Sequence, residues 1–174
     1  FLDRELSNFV ESCRMVLGRA IRMTLETAPH LCIFVHRRRL RVSLLCLILQ
    51  LRQTMPSASR FAWQAEQQEN EAVLRCTAVS DGTEPQSHRH SIPEQLYQTG
   101  LRTPEEQVVQ HFCRKYHAVL LTSQTDTQAQ CTLRFSLHRD IRNLSLESSR
   151  REIDDGIFSL YQIFLSDISD YRFY

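Results

Sequence analysis

Between His36 and Pro56 the chain reads HRRRLRVSLLCLILQLRQTMP. Leu40, Leu44, Leu47/Ile48, Leu51 and Met55 recur every three to four residues and so line one face of a helix. Leu45 and Leu49 widen that face, which predicts a largely buried helix that the other elements must cover. Pro56 ends it, because a proline cannot continue the hydrogen-bond ladder.

The remaining elements follow from their own periods. Leu6, Phe9/Val10, Cys13, Val16/Leu17 and Ala20 mark an amphipathic helix near 5–20, with Asp3 and Glu5 suited to its start and Gly18 weakening its end. Ile21, Met23 and Leu25 alternate with Arg22, Thr24 and Glu26 as a strand closed by Pro29. The short apolar run Leu31–Val35 reads as a second strand. Phe61, Trp63 and Ala65 alternate with polar neighbours, and after Gln67-Gln68-Glu69-Asn70 the strand pattern resumes at 71–80, which predicts a β-hairpin. Pro104 with Glu105 and Glu106 opens a helix whose stripe is Val108/Val109, Phe112/Cys113 and Tyr116. A second hairpin joins 118–123 to Cys131, Leu133, Phe135 and Leu137 through polar 124–130. The order of helix, strand, helix, hairpin, helix, hairpin predicts an α+β layered domain.

Composition limits the function. The 174 residues suit about one domain, and 42% hydrophobic with 24% charged residues is ordinary for a globular chain. A net charge of +1 argues against a general nucleic-acid role. Basic charge clusters only at Arg37-Arg38-Arg39 with Arg41, read as a solvated helix start with a mild capacity for anions. The six cysteines show no C-x-x-C pair and no histidines at zinc-ligand spacing, so no metal site is expected. Five of them fall on apolar faces of predicted elements, so a reduced, buried state is expected, as in the cytoplasm. The longest apolar run, 44–49, is far below the roughly 18 residues of a membrane span, so no membrane insertion is expected.

The organising helix also resembles the first nucleotide-site helix of histidine-kinase-type ATPase domains (the Bergerat, or GHKL, fold). Arg39-Leu40, Leu47-Ile48 and Pro56 match that family's Arg-Leu pair, its two leucines and its closing proline without a gap. The chemistry departs from the pattern. His36 stands where the family has an acid, and Cys46 and Gln50 stand where it has its two asparagines. Val79-Ser-Asp81-Gly-Thr83-Glu-Pro85 stands at the family's Val-x-Asp-x-Gly-x-Gly, so Asp81 matches the adenine-binding aspartate while Thr83 and Pro85 replace glycines. Thr103-Pro104-Glu105-Glu106 opens the helix where the family's Gly-x-Gly-Leu cradles the γ-phosphate, and Tyr116-His117-Ala118 replaces His-Gly-Gly.

The resemblance covers roughly residues 5–138. It implies a two-layer α/β sandwich, a mixed sheet with helices packed on one face, over a domain at 1–140. Beyond that frame, the capping-box spacing of Ser149-Arg-Arg-Glu152 and the helical intervals of Ile153, Ile157, Leu160/Tyr161, Phe164 and Ile168 predict a C-terminal helical extension at 141–174 that packs on the domain or on a partner. The resemblance also implies a degenerate nucleotide site at Cys46, Gln50, Asp81 and Thr83, with no catalytic residue, no cofactor assigned, and Mg-ATP disfavoured. The function expected is that of a pseudo-kinase module of two-component signalling that binds a protein partner, a response regulator or a kinase, with a homodimer through the C-terminal helix also open. The alternatives are a divergent but functional ATP-binding domain of a sensor histidine kinase and an unrelated α+β binding domain.

Overall fold

The computed structural model describes residues 1–19, 21–80, 103–137 and 160–168. In chain order the elements are α1 (Leu2–Leu17), β1 (Arg22–Thr27), α2 (Arg37–Thr54), β2 (Arg60–Gln68), β3 (Glu71–Val79), α3 (Pro104–Tyr116), β4 (Val119–Gln124), β5 (Gln128–Ser136) and α4 (Leu160–Leu165), which runs into a 3-10 turn at Ser166–Ile168. One five-stranded sheet has the order β1-β2-β3-β5-β4. β1 is parallel to β2, and every other pairing is antiparallel, so the sheet is mixed.

The strands sort their side chains by the period of two. Phe61, Trp63 and Ala65 of β2, Ala72, Leu74, Cys76 and Ala78 of β3, and Ala129, Cys131, Leu133 and Phe135 of β5 are buried against the helices. In register, Leu25 lies beside Trp63, Trp63 beside Cys76, and Cys76 beside Cys131, so one apolar row crosses the sheet. The opposite face is laced by polar pairs. Arg75 Nη1 donates to Glu66 Oε1 at 2.6 Å, Arg134 Nε to Glu71 Oε2 at 2.7 Å, and Gln64 Nε2 to Glu26 Oε2 at 3.0 Å.

α2 buries Leu40, Leu44, Leu45, Leu47, Ile48 and Leu51, the stripe its sequence announces. Its first turn has no acidic residue and three arginines, an arrangement that opposes the helix dipole. The missing negative charge comes from α1. The Glu5 carboxylate reaches Arg37 Nε at 2.6 Å and Arg41 Nη2 at 3.2 Å, fixing α1 to the start of α2. At its other end α1 stops at Gly18, whose φ of 61° is reached without the steric cost a side chain would bring. There Arg14 donates through Nε and Nη2 to the Met23 carbonyl oxygen at 3.2 and 2.9 Å.

Two expectations need correcting. Leu31–Val35 forms no strand. Leu31 is buried and its carbonyl accepts from Leu2 N–H at 2.7 Å, so the run is apolar because it packs under α1 and not because it joins the sheet. The polar link 124–130 is also shorter than expected. β5 starts at Gln128, and Thr125 N–H donates to its carbonyl at 2.7 Å across a tight turn. The boundary placed at 140/141 lies outside the described residues. Within the part of the extension that is described, Leu165 is buried, and the ring of Tyr161 lies 5.8 Å from Phe9 of α1.

Candidate functional site

α2 and α3 lie side by side and run in opposite directions, because Glu105 near the start of α3 acts on Cys46 in the middle of α2, while the end of α3 meets the start of α2. At that second meeting His36 N–H donates to Tyr116 Oη at 3.3 Å. Helical spacing places Arg39, Ser43, Cys46 and Gln50 along one side of α2. Cys46 and Ser43 are 2% and 1% exposed, and Gln50 is half-buried.

Each position bears on what the site can hold. The Cys46 thiol is pushed up to about 11, first by burial and then by the charge of Glu105. It is therefore protonated at neutral pH, and a protonated soft thiol is a poor ligand for Mg2+, which takes hard oxygen donors. At the head of α3, Thr103 is the N-cap and its Oγ1 accepts from Glu106 N–H at 3.2 Å, with Pro104 in the first turn. One of the amides free at a helix start is thus taken by the chain itself, and proline removes another. The carboxylates of Glu105 and Glu106 sit in the same turn, where they interact favourably with the helix dipole and repel any further anion. This donor set does not suit a Mg-phosphate group.

Of the four residues singled out in the sequence, Cys46 lies where the charge of Glu105 of α3 acts on it, and helical spacing puts Gln50 one turn further along the same side of α2. Asp81 and Thr83 lie outside the described residues, as does the loop holding His88-Arg89-His90. Among the described residues no group of histidine, cysteine and acidic side chains could hold a metal ion. All six cysteines are free and buried.

The arginine cluster at 37–41 is not simply solvated. Arg37 and Arg41 are committed to Glu5, while Arg38 and Arg39 stay exposed and line a groove with α3. Sequence periodicity missed that groove. Val108 reads as part of the buried stripe, yet Val109 takes the core position and leaves Val108 39% exposed.

At the level of sequence, no family model and no curated protein matches the chain. Solved structures do. The Acinetobacter baumannii histidine kinase AdeS matches over 79% of this chain and 65% of its own, with a TM-score of 0.55 and 14% identity. The mycobacterial sensor histidine kinase MprB matches over 79% and 95%, with a TM-score of 0.57 and 12% identity. The fold is that of histidine-kinase ATPase domains. Full-length ShkA in complex with AMPPNP gives a TM-score of 0.59 at 12% identity over 79% of this chain and 30% of its own. The chain thus spans less than two thirds of AdeS and under a third of ShkA. Among the described residues no helix is long and apolar enough to cross a membrane.

Proposed function

We propose that this chain is a degenerate histidine-kinase-like ATPase module that acts by binding a protein partner of a two-component system, a response regulator or a kinase, and performs no phosphoryl transfer. The observation that carries this reading is the head of α3. Where a nucleotide-binding relative would present free amides to a γ-phosphate, Thr103 Oγ1 and Pro104 close the helix start, and Glu105, whose charge acts on Cys46, and Glu106 add negative charge to that turn. The histidine-kinase ATPase fold supports a place in signalling, and the six reduced, buried thiols support the cytoplasm as its compartment. Ile163 of α4, 61% exposed, is the large apolar residue of that helix available for a homodimer contact.

Titration with Mg-ATP and with adenosine by calorimetry tests the reading. The expected result is no Mg-ATP binding in the low micromolar range, with adenosine binding weakly if Asp81 still accepts from an adenine amino group. A Mg-ATP dissociation constant in the low micromolar range, about −7 to −8 kcal/mol, that is lost in Asp81→Asn would replace this reading with that of a divergent, functional ATP-binding domain.

A further inference from the structure

Where the first turns of α2 meet the last turns of α3, the two helices enclose a groove of about 310 Å3. Val42, Val108 and Phe112 make its floor apolar. The one buried polar side chain there, Ser43, donates from Oγ to the Arg39 carbonyl at 2.9 Å and needs nothing from a ligand. The rim is cationic. Arg38, Arg39 and Lys115 are exposed on it together with His111, and among the described residues no carboxylate lines the groove. Unlike Arg37 and Arg41, which both pair with Glu5, these three cations form no ion pair with any described residue. In a chain whose net charge is +1, this is a local concentration of positive charge, unpaired among the described residues, around an apolar trough.

We propose that this groove is the docking face for an acidic amphipathic helix of a partner protein. Its apolar residues would lie on Val42, Val108 and Phe112, and its carboxylates between the arginines of α2 and Lys115 of α3. The inference rests on the protein-binding reading above and names the surface used. Three physical points select this occupant. A groove between two antiparallel helices accepts a third helix through anchors at i, i+3/i+4 and i+7. A small-molecule site of this size, at the low end of the roughly 300–1,000 Å3 range, would need inward-facing polar groups to orient its ligand, and Ser43 is already satisfied. An anionic bilayer is recognised by clusters of about four to eight Lys or Arg beside the surface, and this rim has three.

The probe is a fluorescein-labelled amphipathic peptide, held helical by a staple, with leucines at i, i+4 and i+7 and glutamates on both flanks. Its counterpart carries lysine flanks. Binding to the full chain is read by anisotropy at low and moderate salt. The glutamate peptide should bind and weaken as salt rises, and its affinity should fall about tenfold or more in Arg38→Glu/Arg39→Glu and in Val108→Asp. The lysine peptide should bind at least about tenfold more weakly than the glutamate peptide. All the altered residues are exposed, so circular dichroism should show each variant folded as the parent.

Equal binding of the two peptides, or undiminished binding to the double arginine variant, would overturn the proposal. Binding of phosphatidylserine vesicles that depends on Arg38 and Arg39, with no peptide binding, would overturn it in favour of a membrane. Mg-ATP calorimetry on the same samples separates the two readings. A failed peptide with silent Mg-ATP sinks the docking face alone, whereas tight Mg-ATP binding sinks the non-catalytic reading whatever the peptide does.

Discussion

Cys46 and Glu105 give the candidate site a pH signature. Burial first, and the Glu105 carboxylate second, raise the thiol from its ordinary value near 9 to about 11. A group held protonated in the native state contributes its full stability below its unfolded pKa and loses that contribution as pH rises through the folded value. For Cys46 the window runs from about 9 to about 11. Urea midpoints under a strong reductant should therefore show a constant advantage of the parent over Cys46→Ala from neutral pH to about 9, shrinking above it. Glu105→Gln should narrow the window from its upper end, because the thiol would then be raised by burial alone. A parent advantage that stays level across the whole window would mean that the native state does not hold this proton.

Among the elements, α3 shows which features of the sequence carried information. Its start was legible, since Thr103, Pro104 and the two glutamates form a helix-opening signal and the structure uses them as one. Its end departs from the glycine rule. His117 is left-handed, at φ 52° and ψ 35°, and the amides of His117 and Ala118 both donate to the Cys113 carbonyl. The backbone thus adopts at a histidine the left-handed conformation that favours glycine. His117→Gly should raise stability by about 0.5–1 kcal/mol, the steric relief being partly offset by the greater freedom of glycine in the unfolded chain, as measured by urea unfolding. An unchanged or lowered midpoint would place a compensating contact on the imidazole. The three long helices and both hairpins were readable because each repeats its period over several turns or alternations. Leu31–Val35 was not, because a short apolar run looks the same whether it pairs in a sheet or packs beneath a helix. The groove between α2 and α3 left no linear trace either, since Arg38 and Lys115 meet only in the tertiary structure.

At the scale of the whole molecule, the described helices cover one face of the sheet and charged pairs lace the other, and α1 is seated by its six buried apolar side chains together with specific long-range contacts. Among these are the Glu5 pairs, the Arg14 bonds to β1 and the ring of Phe9, which meets Trp63 edge-on at 5.5 Å between centroids. Trp63 is the one tryptophan of the chain, 1% exposed, and its indole N–H meets no acceptor among the described residues. The protein therefore contains its own optical reporter of whether α1 is seated. With the indole buried and no polar partner for it among the described residues, native emission should lie toward the blue limit for tryptophan. Phe9→Ala, which removes the facing ring at a cost of about 3–5 kcal/mol, should shift emission to the red and lower the urea midpoint. An unshifted spectrum in that variant would mean that the indole is shielded by something other than α1. If the shift appears, one wavelength follows the first helix on and off the sheet without any added label.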